Sequence, residues 1–328
     1  MEYLVDILMP VYNHEKYIED ALKGVVSQKT NFNFRLLIGE DFSTDNSRQI
    51  IENYRNSYPS IIFPSYRERN LGAHENSKLL FAQATSKYIA ICEGDDYWTG
   101  IYKIQTQVDF LEANPDFAIC FHRVYLLEDG ALPIISDSNI SEKEESYSIE
   151  DLAQGNFIHT PSVIFRNNLE HVPNWLVESP AADYLLHMLN AQYGKIKYFP
   201  EPMAVYRIHA QGIWNSQKYE YRLLNTIKTI DLMINEFDGN VKEILIKQNA
   251  GNYNSLAKIA YSERDVEKAK RYLEKAFFLD DSLKEEWLIN YYPTMIFRLF
   301  NSRRYKASER FFNFINRVLF IGQRKKKQ

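Results

Sequence analysis

Three carboxylates crowd into the short stretch Glu93-Gly94-Asp95-Asp96. Charges of one sign this close repel one another unless a cation or hydrogen-bond donors offset them. Carboxylate oxygens are hard ligands that suit Mg²⁺ or Mn²⁺, and such ions keep positions open for substrate phosphates. A Gly-Asp-Asp turn facing solvent is the plainer alternative. Two further polar groups close apolar runs, Tyr12-Asn13 and Glu40-Asp41. Neither GxGxxG nor GxxxxGK[ST] occurs, so no dinucleotide fingerprint or P-loop supplies a phosphate cradle.

The elements that must position these groups alternate between strand and helix patterns, the mark of a mostly parallel sheet with crossover helices. Strands are expected over Val5 to Met9, Phe34 to Ile38, Ile61 to Pro64, Tyr88 to Cys92 and Phe117 to Leu126. Helices are expected over His14 to Ser27, Asp45 to Tyr58 with Ser43 or Thr44 as cap, Ala73 to Ala84 and Ile104 to Ala113. Ser136 to Glu150 is polar and reads as a surface loop ahead of a helix. His159 to Phe165 reads as sheet-associated, before a helix that holds Asp183. In such sheets ligands bind at the C-terminal ends of strands. Tyr12 and Asn13, Glu40 and Asp41, and Glu93, Asp95 and Asp96 therefore converge on one edge.

Three segments in this order, MPVYNHEKYIEDALKGVVSQ, LLIGEDFSTDNS and SKYIAICEGDDYW, together resemble glycosyltransferase family 2 over roughly residues 3 to 215. The resemblance implies an inverting enzyme of GT-A fold that takes a nucleotide-sugar donor, usually with uracil as base. It implies that Asp41 faces the nucleobase, with Pro10, Tyr12 and Asn13 beside it. Glu93 stands where the family's Asp-x-Asp has its first Asp and is a candidate for ribose or metal. Asp95 joins the donor-binding set, and Asp96 is the foremost metal ligand. The segment YRIHAQGIW resembles the family's Tyr-Arg-x-His-x-x-Gly, which implies His209 on the metal and Arg207 at phosphate. Imidazole suits Mn²⁺, and the guanidinium fork suits phosphate; a packed structural histidine is the alternative for His209. His14, His122 and His171 read as surface or packing residues. Pro180-Ala181-Ala182-Asp183 resembles the family's base-bearing helix start, so Asp183 is the candidate general base, against a routine helix cap. Asn156 to Pro161 offers polar and aromatic contacts to an acceptor, implied to be a surface glycan or a lipid-linked glycan.

The 328 residues suffice for a catalytic domain over 1–217, and 45% hydrophobic with 25% charged residues excludes wholesale disorder. Only Cys92 and Cys120 are present, too few for a disulfide scaffold or a cysteine zinc site, which fits a reducing cytosol. No signal peptide and no run near the ~20 apolar residues of a spanning helix is visible. A helical region, 218–297, follows, with helices expected over Tyr219 to Lys247 and Leu283 to Leu299. Asn252 to Asp281 resembles one tetratricopeptide unit, with a plain amphipathic hairpin as the alternative. The net charge of −4 divides into −13 for the body and +9 from Arg298 onward. That basic tail, 298–328, places Phe311, Phe312, Ile315, Val318 and Leu319 on one helical face, suited to an anionic membrane surface, to its own helices or to a partner copy in a homo-oligomer. Nucleic acid is not expected as a partner. The location implied is cytoplasmic, at the inner face of the cell membrane. Two other readings compete: a nucleotidyltransferase, which would carry a glycine-rich basic loop where Tyr12-Asn13-His14-Glu15 stands, and a helical interaction protein without activity.

Overall fold

The structure is a computed structural model that describes residues 2–128, 131–136, 146–169, 178–210, 212, 214 and 217–285. The chain divides into two units, Met1–Gln217 and Lys218–Gln328.

The first unit opens with β1 (Val5–Val11), α1 (Ile18–Val26), β2 (Phe34–Glu40), α2 (Ser47–Ser57), β3 (Ile62–Tyr66), α3 (Ala73–Phe81) and β4 (Tyr88–Ile91). It continues with β5 (Tyr97–Trp98), α4 (Lys103–Ala113), β6 (Phe117–Glu128), β7 (Ile134–Ile135), β8 (Ser146–Tyr147) and α5 (Ile149–Leu152). A 3₁₀ turn, β9 (Ile164–Arg166), α6 (Ala182–Ala191) and β10 (Lys195–Ile208) complete it. The strand order is β3-β2-β1-β4-β9-β6-β10-β5, with β7 on β6 and β8 on β10. The first four strands are parallel, β9 runs against both β4 and β6, and β6 and β10 are again parallel. β1 is buried almost throughout because both faces of the sheet are covered. On α1, Ile18, Ala21, Leu22 and Val25 form one fully buried face against Val5, Ile7, Met9 and Val11. Gly24 on the same helix is needed for close approach, since a Cβ there would lie 2.7 Å from the Trp98 carbonyl oxygen.

Two elements differ from the sequence expectation at their starts. His14 to Tyr17 form a turn, the His14 carbonyl accepting from Tyr17 and Ile18 N–H, and α1 begins only at Ile18. Neither Ser43 nor Thr44 caps α2; its N-cap is Asn46, and the Asp45 carboxylate takes the Ser47 N–H at 2.9 Å. The 14-residue β10 is the element that sequence patterning misses. Pro200 and Pro202 interrupt it, and both fall where its register with β6 shifts between Phe199 and Ala204. Proline is confined to such irregularities because it cannot donate to the ladder.

The second unit contains α7 (Tyr219–Met233), α8 (Gly239–Ser262) and α9 (Val266–Leu279). The single helix expected over Tyr219 to Lys247 is two, broken where Asp238 precedes Gly239 at φ 58°. Ala257 on α8 packs with Leu273, Ala276 and Phe277 on α9, and Leu256 on α8 packs with Leu223 and Ile227 on α7. The Asp265 carboxylate caps α9 by accepting the Lys268 N–H. The basic tail, most of the helix expected over Leu283 to Leu299, His171 and most of the loop over Ser136 to Glu150 lie outside the described residues.

A buried ion pair ties β1 to β2 at the edge opposite the carboxylates. Asp6, fully buried, accepts Arg35 Nε at 2.6 Å, the N–H groups of Thr85 and Ser86, and the Ser86 hydroxyl at 2.7 Å. Burial alone would raise this carboxyl, but these donors outweigh it and hold the group below its ordinary 3.8. Its contribution is therefore present above pH ~4 and is lost as pH falls through the lower folded value. Asp6→Ala is expected to lower stability by about 3–5 kcal/mol at pH 7, because it leaves Arg35 without its carboxylate and the Thr85 and Ser86 N–H groups without their acceptor. Urea titrations of the variant and the parent at pH 7 and pH 3 check this; the difference should shrink at the lower pH, and a constant difference would contradict the assignment.

Candidate active site

The exits of β1 and β2 are laced together by short polar side chains. Asn13, at φ 56°, donates its N–H to Ser43 Oγ, and its Oδ1 accepts the Thr44 N–H at 2.8 Å. The His14 N–H bonds Ser47 Oγ, and the Glu15 N–H bonds Asp45 Oδ2. Glu40, fully buried, accepts the Ser43 N–H on one oxygen and Arg48 Nε on the other. These contacts fix a loop in which Phe42 takes φ 62°, an uncommon backbone for a bulky residue, with its ring 46% exposed. Tyr12 is exposed to a similar degree, and Pro10 sits half-buried between them in register with Gly39.

Asp41 is buried, and its two oxygens accept the N–H groups of Leu71 and Gly72 at 2.8 and 2.9 Å. It therefore holds the wall of a cleft lined by Tyr66, Arg67, Glu68, Arg69 and Leu71. Arg67 Nε bonds Asn76, while its buried Nη2 has no partner among the described residues. Arg67 is not among the residues expected from sequence; its only signal there is a pair of arginines, Arg67 and Arg69, after β3.

One ligand atom from each of Glu93, Asp95 and Asp96 falls within 4.8 Å of the others. Gly94 between them is required, since a Cβ there would lie 2.7 Å from His14 Nδ1. Asp96 is buried; its Oδ1 accepts the Arg207 N–H at 2.8 Å, and its Oδ2 is buried without a partner. Asp95 turns its Oδ2 to His209 Nε2 at 3.1 Å and lies 3.8 Å from His14 Nε2. His14, read from sequence as a surface or packing residue, thus belongs to the site; the turn before α1 carries it there. Arg207 has both arms of its fork engaged, Nη1 on the Asp95 carbonyl at 2.7 Å and Nη2 on Asp20 at 2.6 Å. Its guanidinium lies against the rings of Tyr17 and Tyr97. The residue expected at phosphate is here a brace for the Asp95–Asp96 turn.

Asp183 lies in the first turn of α6, yet it is no cap: the N-cap is Ala181 and no side chain caps the helix. Its Oδ2 instead accepts Asn156 Nδ2 at 3.1 Å. Tyr206 links the two halves. Burial raises its phenol above the ordinary value, and the charges of Asp96, Glu93, Asp183 and Asp95 push the same way. Burial, then Asp95 and Asp183, push Glu93 up to about 8. Asp96 is raised by burial and by Asp95 and Glu93. Asp95 is lowered; burial opposes this, but the His209 hydrogen bond and the nearby His14 prevail.

Residues 6–172 match the profile of glycosyl transferase family 2. An uncharacterized protein of Mycobacterium tuberculosis, Rv1520, is 40% identical over 210 residues, which are 62% of this chain and 59% of that protein. The chain thus spans about three fifths of the mycobacterial relative's length. The Escherichia coli UDP-Glc:alpha-D-GlcNAc-diphosphoundecaprenol beta-1,3-glucosyltransferase WfgD is 32% identical over 113 residues, 34% of this chain and 43% of that one. Among solved structures, Staphylococcus aureus TarS 1-349 in complex with UDP-GlcNAc superposes with a TM-score of 0.61 at 17% identity, covering 99% of this chain and 92% of that one. The shared architecture is the GT-A fold. With that profile matched over residues 6–172, more than half of its length, the chain belongs to glycosyltransferase family 2.

Proposed function

We propose that this chain transfers a sugar, with inversion, from a uridine diphosphate donor to a hydroxyl of a glycan or lipid-linked acceptor. The observation that carries this is the cluster of Glu93, Asp95 and Asp96 at the β4 exit, one ligand atom of each within 4.8 Å of the others, inside the stretch that matches the family, with Asp183 on α6. The acceptor hydroxyl gives its proton to Asp183 as its oxygen bonds the anomeric carbon. The bond from that carbon to the diphosphate oxygen breaks on the opposite face, and the nucleoside diphosphate leaves with the electron pair. Asp41, Arg67, Tyr12 and Asn13 form the nucleobase end, where the orphaned Arg67 Nη2 offers a donor. The relatives support this reading: WfgD is named for a UDP-glucose donor and a diphosphoundecaprenol-linked acceptor, and TarS holds UDP-GlcNAc.

The residues present fit a divalent cation. Asp95, Asp96 and His209 would hold it, with Glu93 at hand, and the unpartnered Asp96 Oδ2 is the oxygen that most needs it. When bound, such an ion offsets the charge that gathers on the departing diphosphate. A mixed carboxylate and imidazole set suits Mn²⁺ better than Mg²⁺. No helix of the described residues is long and apolar enough to cross a membrane. The basic tail adds an anionic membrane surface as partner, at the inner face of the cell membrane, where lipid-linked acceptors are presented. Intact protein should float with anionic liposomes and not with neutral ones, and a chain ending at residue 297 should not float; equal flotation of the two would remove the membrane partner.

A panel of sugar nucleotides with Mn²⁺ and acceptor tests the activity, and Asp183→Asn tests the base. Turnover of the variant is expected to fall by ~10²-fold or more with donor KM little changed. Retained turnover with lost donor affinity would make Asp183 a binding residue. For the cation, Glu93, pushed up to about 8, holds a proton near neutrality that must leave when metal enters. Mn²⁺ affinity should therefore rise from pH 6 to pH 8 with proton release, read by calorimetry in buffers of different ionisation enthalpy. Asp96→Asn should weaken Mn²⁺ binding, and unchanged affinity would exclude Asp96 as a ligand.

A further inference from the structure

We propose that Asn156 is the positioning residue of the general base. The inference deepens the proposed function and rests on its assignment of Asp183 as the proton acceptor. Asn156 Nδ2 donates to Asp183 Oδ2 at 3.1 Å, and Asn156 Oδ1 accepts the Ile158 N–H at 3.1 Å. The second bond settles which way the amide faces: with its oxygen held by its own backbone, the nitrogen must point at the carboxylate. The loop that carries it is anchored on both sides. Upstream, Ser148 and Asp151 close a capping box on α5, and the Leu152 carbonyl accepts the Tyr184 hydroxyl of α6 at 2.9 Å. Downstream, Ile158 is buried. Asn156 itself is exposed, and the loop that carries it is tied to α6, which carries both Tyr184 and Asp183.

The bond fixes one oxygen of Asp183 and leaves the other to face the acceptor hydroxyl. A neutral amide is suited to this task. A guanidinium or ammonium would orient the carboxylate equally well but would stabilise its ionised form so far that it loses basicity. The titratable groups facing Asp183 are Glu93 from the β4 exit, His159 ahead of the 3₁₀ turn, His187 one turn along α6 and Tyr206 on β10. Burial lowers both imidazoles, His187 to about 4, so neither is a cation near neutrality. Among the described residues the amide of Asn156 is the hydrogen-bond donor to this carboxylate.

Two variants separate positioning from mere loop structure. Asn156→Ala removes both bonds. Asn156→Asp, nearly isosteric, keeps the acceptor for the Ile158 N–H and hence the turn, but it sets a carboxylate against Asp183. In each, kcat with Mn²⁺ and a donor–acceptor pair should fall about tenfold or more while donor KM and Tm stay near the parent's. The acidic limb of the kcat–pH profile should move to higher pH, furthest in Asn156→Asp, where two carboxylates share one proton. Added to Asp183→Asn, Asn156→Ala should cause little further loss. Parental kcat and pH profile in Asn156→Asp would overturn the proposal, as would a full additional loss in the double variant. Turnover that survives in Asp183→Asn alone would instead remove the base assignment, a result that can be told apart from either of these.

Discussion

Mutual repulsion among Glu93, Asp95 and Asp96, to which Asp183 adds at Glu93, is the constraint that the rest of the site answers. Each carboxylate meets it differently. Asp96 takes a backbone N–H from Arg207, Asp95 takes an imidazole, Glu93 keeps its proton up to about 8, and Asp183 takes a neutral amide. The donors among these answers, from Arg207, His209 and Asn156, all come from other segments. Arg207 and His209 lie at the end of β10, over a hundred residues later, so the acidic turn depends on the last strand of the unit for its geometry.

The sheet makes that dependence rigid. β1, β2 and β4 run parallel, so their exits share one edge, and the β1 and β2 exits are laced by Asn13, Ser43, Asp45 and Ser47. β10 approaches from the other half of the sheet, parallel to β6, and its β5 partner is clamped under α1 by the glycine contact at Trp98. Arg207 then spans the seam: Asp20 on α1, the Asp95 carbonyl, and the rings of Tyr17 and Tyr97 all touch one guanidinium.

Much of this is legible in the sequence, because a doubly covered parallel sheet writes short apolar runs that end in polar residues. β1, β2 and β4 and their carboxylates are read directly from that pattern, and the helix holding Asp183 follows from its apolar stretch. What escapes has physical causes. β10 carries two prolines at a bulge, which breaks the period that identifies a strand. β5 is two residues long and has no period at all. His14 looks like a helix-start residue until the turn before α1 swings it onto Asp95, and nothing local announces that. Arg207 carries a phosphate-binding residue type, but the pairing that occupies its fork is a tertiary fact. Asn156 is one polar residue in a loop, and only the fold shows which way its amide faces.

Across the cleft the supply of positive charge and donors is uneven, and the unevenness fits the chemistry. At the strand exits stand Arg67, whose Nη2 has no partner among the described residues, and Arg207. At the acceptor end the described groups round Asp183 are two imidazoles that burial keeps neutral, a phenol and an amide. Under the proposed function, an anionic donor would be drawn to the first set, where leaving-group charge would also be accepted. A cation beside Asp183 would weaken that carboxylate as the proposed acceptor of the proton. The carboxylates at the β4 exit gain from positive charge and Asp183, as the proposed base, gains from its absence, and the fold keeps them on separate elements.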